Sequence, residues 1–137
     1  MSYLLDTGIL SASSKRRPPI RILRWLKEHE DQSFISVVSL AELQFGIETA
    51  ADPEFRTALE EWLVNLRGQF AQALLGLSEP VLVEWKRLLA ELKTKNRTIS
   101  CEDSLLAATA REYELRVVTT NSRDFEPSGV DIVELRH

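Results

Sequence analysis

Short apolar runs alternate along this chain with longer stretches in which apolar residues recur every three or four positions, and the first run, Tyr3-Leu4-Leu5, ends directly in Asp6-Thr7. Three apolar residues in a row before a Gly-containing turn are too few for a helix and predict a strand buried on both faces of a sheet. Phe34-Ile35-Ser36-Val37-Val38, Ala73-Leu74-Leu75-Gly76 and Val117-Val118-Thr119-Thr120-Asn121 predict three more strands, and Val130-Asp131-Ile132-Val133 a last one at an edge. Helical spacing predicts a helix over 20–30 with Leu23 and Leu26 inward, and another over 39–51 with Leu43 and Ile47 inward. A third over 54–67 places Phe55, Leu59, Trp62, Leu63 and Leu66 on one face behind Pro53. Ser78 caps a fourth, with Val81, Trp85, Leu88, Leu89 and Leu92 in register, and Ser100 opens a fifth whose Ala107, Ala108 and Ala110 thin its flank for close packing on a sheet.

Strands alternating with helices predict an α/β fold around a mostly parallel sheet. The helices over 39–51 and 54–67 follow each other without a strand, as a helical hairpin laid on the sheet that carries Trp62 as a dimer face. In such a sheet Asp6 and Asn121, both at strand exits, share the carboxyl edge with the starts of the helices carrying Glu42 and Asp103, which is where open α/β sheets place their sites.

Composition narrows the function classes. A chain of 137 residues reads as a single domain spanning 1–137 that buries enough core to need no metal or disulfide for its fold. Its one cysteine, Cys101, has no partner for an internal bridge and points to a reducing, cytoplasmic setting. No apolar stretch approaches the roughly 20 residues a bilayer requires, and the start of the chain reads as a strand rather than an export signal, so no membrane partner is expected. With a net charge of −4 the chain lacks the global positive field that binds nucleic acid by charge alone. Any phosphodiester substrate therefore calls for bound cations or a basic loop, and Lys15-Arg16-Arg17 and Lys93-Thr94-Lys95-Asn96-Arg97 are the two such loops.

Glu42 stands three residues after Ser39, and Asp103 three after Ser100. That spacing fits a capping box, and it equally fits a ligand carboxylate held in a first helical turn, where the helix dipole favours the ionised form. Asp6, Glu42 and Asp103 brought together would repel one another unless protons or cations intervened. Oxygen-only donors select Mg2+ or Mn2+, while zinc is disfavoured because His29 and His137, the only imidazoles, lie away from these motifs. A carboxylate-held divalent ion suits phosphodiester hydrolysis. No Ser-His-Asp set, Cys-His pair, phosphate-cradling glycine loop or zinc spacing competes, and Cys101 reads as filler.

Four motifs in this order, Leu4-Leu5-Asp6-Thr7, Ser39-Leu40-Ala41-Glu42-Leu43, Glu102-Asp103-Ser104-Leu105-Leu106-Ala107-Ala108-Thr109-Ala110 and Val118-Thr119-Thr120-Asn121-Ser122-Arg123-Asp124-Phe125, resemble a PIN-domain ribonuclease of the VapC toxin type. The resemblance spans nearly the whole chain. It implies a three-layer PIN-like fold, an Mg2+-dependent endoribonuclease in which Mn2+ substitutes, an RNA substrate and a small cognate antitoxin. It matches Asp6, Glu42 and Asp103 to the family's acidic metal positions. The family's fourth acid falls at Asn121, which brings an oxygen but no charge, with Asp124 three residues on. Thr7 and Thr119 are hydroxyls that either support ligands or bond to backbone at a strand end. Three tryptophans and several apolar helix faces imply a homodimer. Two other readings keep the α/β fold: an inactive interaction module, hinted at by Asn121, and a receiver-like domain, which lacks an aspartate closing a middle strand. A phosphatase with an aspartyl nucleophile lacks the second aspartate, since residue 8 is Gly.

Overall fold

The computed structural model describes residues 1–136. Five strands, β1 (Tyr3–Leu5), β2 (Ser33–Ser36), β3 (Leu74–Leu75), β4 (Arg116–Thr119) and β5 (Ile132–Glu134), form one sheet in the order β3-β2-β1-β4-β5. Every neighbouring pair is parallel. The chain builds outward from β1 to β3 on one side, crosses back, and lays β4 and β5 on the other, so the strand order reverses between β1 and β4. That switch point opens a crevice at the carboxyl edge, and Asp6 and the exit of β4 stand on either side of it.

Alternation along the strands divides the core into two layers. Leu5, Ile35 and Val118 face one way, against α1 (Thr7–Ser13), α2 (Ile20–His29), α3 (Val37–Glu48) and α4 (Pro53–Gln69). Leu4 and Val117 face the other, against α5 (Glu79–Thr94), α6 (Cys101–Tyr113) and the fully buried Phe125. Helices, sheet and helices make the three layers of the expected α/β architecture. The alanines of α6 are buried as their size predicts, with Ala107 and Ala108 wholly inaccessible.

Several boundaries and one helix face depart from the pattern of the sequence. The residues after Asp6 form α1 rather than a turn, because Ile9, Leu10 and Ala12 pack into the first core layer. In α2 the inward residue is Ile22, while Leu23 is 41% exposed, and Trp25 and Leu26 extend the packed face. The second strand stops at Ser36, whose Oγ caps α3 by accepting from the Val38 N–H at 3.0 Å. Val37 and Val38, strand-like by their branched side chains, are therefore the first two residues of a helix. At the far edge β5 covers Ile132–Glu134 and β4 ends at Thr119, so Asn121 lies beyond the strand.

Candidate active site

The new start of α3 changes what Ser39 and Glu42 are. With Ser36 as the cap, Ser39 sits inside the first turn and Glu42 in the second, so no capping box joins them. Ser39 is fully buried, and its Oγ lies 2.8 Å from Thr7 Oγ1. Thr7 in turn donates to Glu42 Oε1 at 2.8 Å. A hydroxyl carries one hydrogen; Thr7 spends it on Glu42, so Ser39 must donate to Thr7. This relay aims Glu42 from α3 toward the end of β1, and Thr7 bonds to side chains rather than to backbone.

Asp6 closes β1, its N–H donating to Val118 O at 2.9 Å across the switch point. Its Oδ2 accepts from the buried Thr119 hydroxyl at 2.8 Å, and Thr119 Oγ1 accepts the Asn121 N–H at 3.1 Å. One hydroxyl thus bonds both the Asp6 carboxylate and the backbone beyond the strand end. Asp103 lies in the first turn of α6, its N–H bonded to the capping Ser100 Oγ at 3.1 Å, and its carboxylate is near enough to Asp6 and Asp124 to feel their charges. A short 3-10 turn, Ser122–Asp124, brings Asp124 back over Asn121, whose Nδ2 donates to Asp124 Oδ1 at 3.2 Å. Ser122 N–H donates to Glu134 Oε1 at 3.0 Å and fixes this turn against β5.

The electrostatics tie these groups into one cluster. Burial pushes Asp6 above the usual carboxylate range, against the pull of the Thr119 hydroxyl and the Thr7 and Gly8 N–H groups, and Asp124 adds repulsion. Asp103 is pushed up to about 6, chiefly by burial and then by the charges of Asp6, Asp124 and Glu102, with the Ser100 hydroxyl opposing. Glu42 is raised by burial, and by Glu102 and Asp103, although Thr7 stabilises its ionised form. Among the described residues no ion pair reaches Asp6, Glu42, Asp103 or Asp124. The cluster is anionic and uncompensated.

Such a donor set fits a hard divalent cation in chemistry and in charge, since every candidate ligand atom is oxygen. As the side chains stand, no three Asp, Glu, His or Cys among the described residues are gathered tightly enough to enclose an ion. His29 is occupied elsewhere, its ring stacked 4.0 Å from Trp25 with Nδ1 at 2.8 Å from Trp25 O, and His137 lies outside the described residues. Sequence reasoning missed two members of the site, Ser39 as a support and Glu102 as a neighbouring charge. Ser36, the one polar residue inside the apolar run over 34–38, is the available signal for the true cap.

A profile of the PIN domain matches residues 3–127. The chain belongs to the PIN-domain family. Among its relatives, VapC ribonuclease Y4jK of Sinorhizobium fredii (strain NBRC 101917 / NGR234) is 30% identical over 135 residues, covering 95% of this chain and 94% of that protein. Toxin FitB of Neisseria gonorrhoeae (strain ATCC 700825 / FA 1090) is 27% identical over 136 residues, 98% of each chain. The crystal structure of FitAcB from Neisseria gonorrhoeae superposes with a TM-score of 0.89 at 27% identity over 96% of both chains. These likenesses make the chain a VapC-type PIN domain. In it, the acidic motif positions of β1, α3 and α6 all reach the carboxyl edge of the sheet.

Proposed function

We propose that this PIN domain is a metal-dependent endoribonuclease, the toxin of a toxin-antitoxin pair, acting in the cytoplasm on RNA. The observation that carries the reading is the uncompensated cluster of Asp6, Glu42, Asp103 and Asp124 at the switch point, with their mutual repulsion. Asp6, Glu42 and Asp103 would hold Mg2+, or Mn2+ in its place, with Asn121 or Asp124 completing the site. When bound, such an ion supplies Lewis acidity, acidifying a water for in-line attack on phosphorus and offsetting charge on the leaving oxygen. The chain's own part is orientation: Thr119 fixes one oxygen of Asp6, the Ser39-Thr7 relay fixes one oxygen of Glu42, and Asn121 steers Asp124. The ribonuclease names of the VapC relatives support the substrate class. In the test, purified protein cleaves RNA in Mg2+ or Mn2+ and stops in EDTA; cleavage undiminished by EDTA defeats the metal mechanism.

The partners follow from the same reading. A small antitoxin is supported by the FitAcB and VapBC complexes among the structural neighbours, and co-expressing the product of a small adjacent open reading frame should silence RNA cleavage. A homodimer is supported by apolar side chains left outside both core layers: Phe45, 68% exposed, with Leu74, Leu77, Leu82 and Val83. Trp62 is less available for this, since it packs against the core. Light scattering at micromolar concentration should give twice the chain mass, and a monomer that persists as concentration rises counts against the dimer.

A further inference from the structure

The basic stretch Lys15-Arg16-Arg17 has so far no role. Its middle residue is tied down. The Arg16 guanidinium lies 5.0 Å from the centre of the Phe55 ring and 3.6 Å from an Asp52 carboxylate oxygen. Asp52 meanwhile caps α4 by accepting from the Glu54 N–H at 3.0 Å. Arg16 therefore bridges the segment after α1 to the start of α4 at the surface, with Asp52 as its partner charge. Lys15, next to it, is exposed and makes no ion pair among the described residues.

Lys15 lines a groove of about 410 Å³ together with Thr7 and Glu42 of the acidic site and with Phe55, Leu59 and Trp62. The groove thus brings together a member of the acidic centre, an ammonium group without an ion pair among the described residues, and an apolar, partly aromatic surface. Proteins that hold single-stranded nucleic acid combine these two features, cationic contacts that follow the backbone and aromatic surface that receives bases. A base can meet such a wall only when it is out of a duplex stack. The chain's net charge of −4 makes a local cation beside the site more consequential, because no global field draws a polyanion in.

Resting on the ribonuclease reading, we propose that this groove carries an unpaired stretch of the RNA next to the scissile bond, with Lys15 pairing with a backbone phosphate and the Phe55-Trp62 wall receiving a base. Lys15 is then a positioning residue for substrate, and Arg16 the surface bridge beside it.

The test is steady-state cleavage of a labelled single-stranded oligoribonucleotide in Mn2+ by wild type, Lys15→Gln and Lys15→Arg, with binding of the same oligonucleotide followed against salt in EDTA. Loss of one charge-assisted contact should raise KM on the order of tenfold in Lys15→Gln. Its kcat should stay within about twofold. The slope of log affinity against log salt should fall by about 0.7, the share of one phosphate on a single strand. Lys15→Arg should restore most of the KM, melting temperatures should not move, and the same sequence as a perfect duplex should compete more weakly. An unchanged KM and salt slope in Lys15→Gln, with wild type cleaving, overturns the proposal and leaves the groove to a protein segment. Equal competition by duplex overturns it as well. A wild type that cleaves no RNA in Mn2+ defeats the ribonuclease reading itself, and this inference with it.

Discussion

Asp6→Asn and Asp103→Asn are each expected to abolish RNA cleavage in Mn2+ while raising the melting temperature of the metal-free protein. Both outcomes have one cause. Each carboxylate is held above its ordinary range by burial and by its acidic neighbours, so in the ion's absence the ionised cluster opposes folding. An amide keeps the shape and removes the charge. Glu42→Gln should behave alike with a smaller thermal gain, because Glu42 is the more exposed and its ionised form is stabilised by Thr7.

The sign of the pH dependence follows from the same shifts. Asp103 in the folded chain is pushed up to about 6 from 3.8, so the folded state takes up a proton more readily than the unfolded one. The stability this gives is complete below the unfolded value and is lost as pH rises through about 6. Metal-free wild type should accordingly gain melting temperature as pH falls from neutrality toward 5, and Asp103→Asn should flatten that rise. Mn2+ should stabilise wild type at neutral pH, as any ligand specific to the native state does, and fail to stabilise the amide variants. Near wild-type cleavage in either Asp6→Asn or Asp103→Asn would remove the acidic-site assignment. Asp124→Asn should do less; if it is as damaging as they are, Asp124 rather than Asn121 completes the site, and Asn121→Asp should otherwise tighten Mn2+ binding.

The parts of the fold that were legible in the sequence are those where one residue pattern admits one packing. Leu4-Leu5 had to be buried on both faces, and it is: Leu4 and Leu5 belong to opposite core layers. The alanines of α6 and the capping serine at 100 behaved likewise. Boundaries failed where local preference and tertiary packing disagree. Val37 and Val38 favour a strand by their branching, yet the burial of Val38 and Leu40 and the Ser36 cap draw them into α3. That three-residue difference hides the role of Ser39, which reads as a cap in the sequence because Glu42 follows it at the right spacing. Likewise α1 is too short to show a helical period, and only its fit against the sheet reveals it. Asn121 looked like a missing acid in one dimension; the 3-10 turn that returns Asp124 to it has three residues per repeat and so brings position 124 over position 121.

Thr119→Val is expected to lower cleavage by about 10- to 100-fold, the usual loss when a partner that orients a ligand is removed, while Thr119→Ser retains most of it. The Thr119 side chain is fully buried, with its hydroxyl donating to Asp6 Oδ2 at 2.8 Å and accepting the Asn121 N–H at 3.1 Å. Valine matches threonine in volume but has no hydroxyl, so it leaves the buried Asp6 carboxyl with only the Thr7 and Gly8 N–H groups and takes away the acceptor of the Asn121 N–H. Leaving a buried polar group unsatisfied costs about 1 to 3 kcal/mol, which lowers the melting temperature and pushes the Asp6 carboxyl further above its ordinary range. Loss of orientation and loss of stability can be separated by raising Mn2+: extra ion should recover part of the cleavage if the defect is a weakened Asp6, and none if the protein has simply unfolded. Cleavage in Thr119→Val equal to wild type, at a matched folded fraction, would show that Asp6 needs no such support.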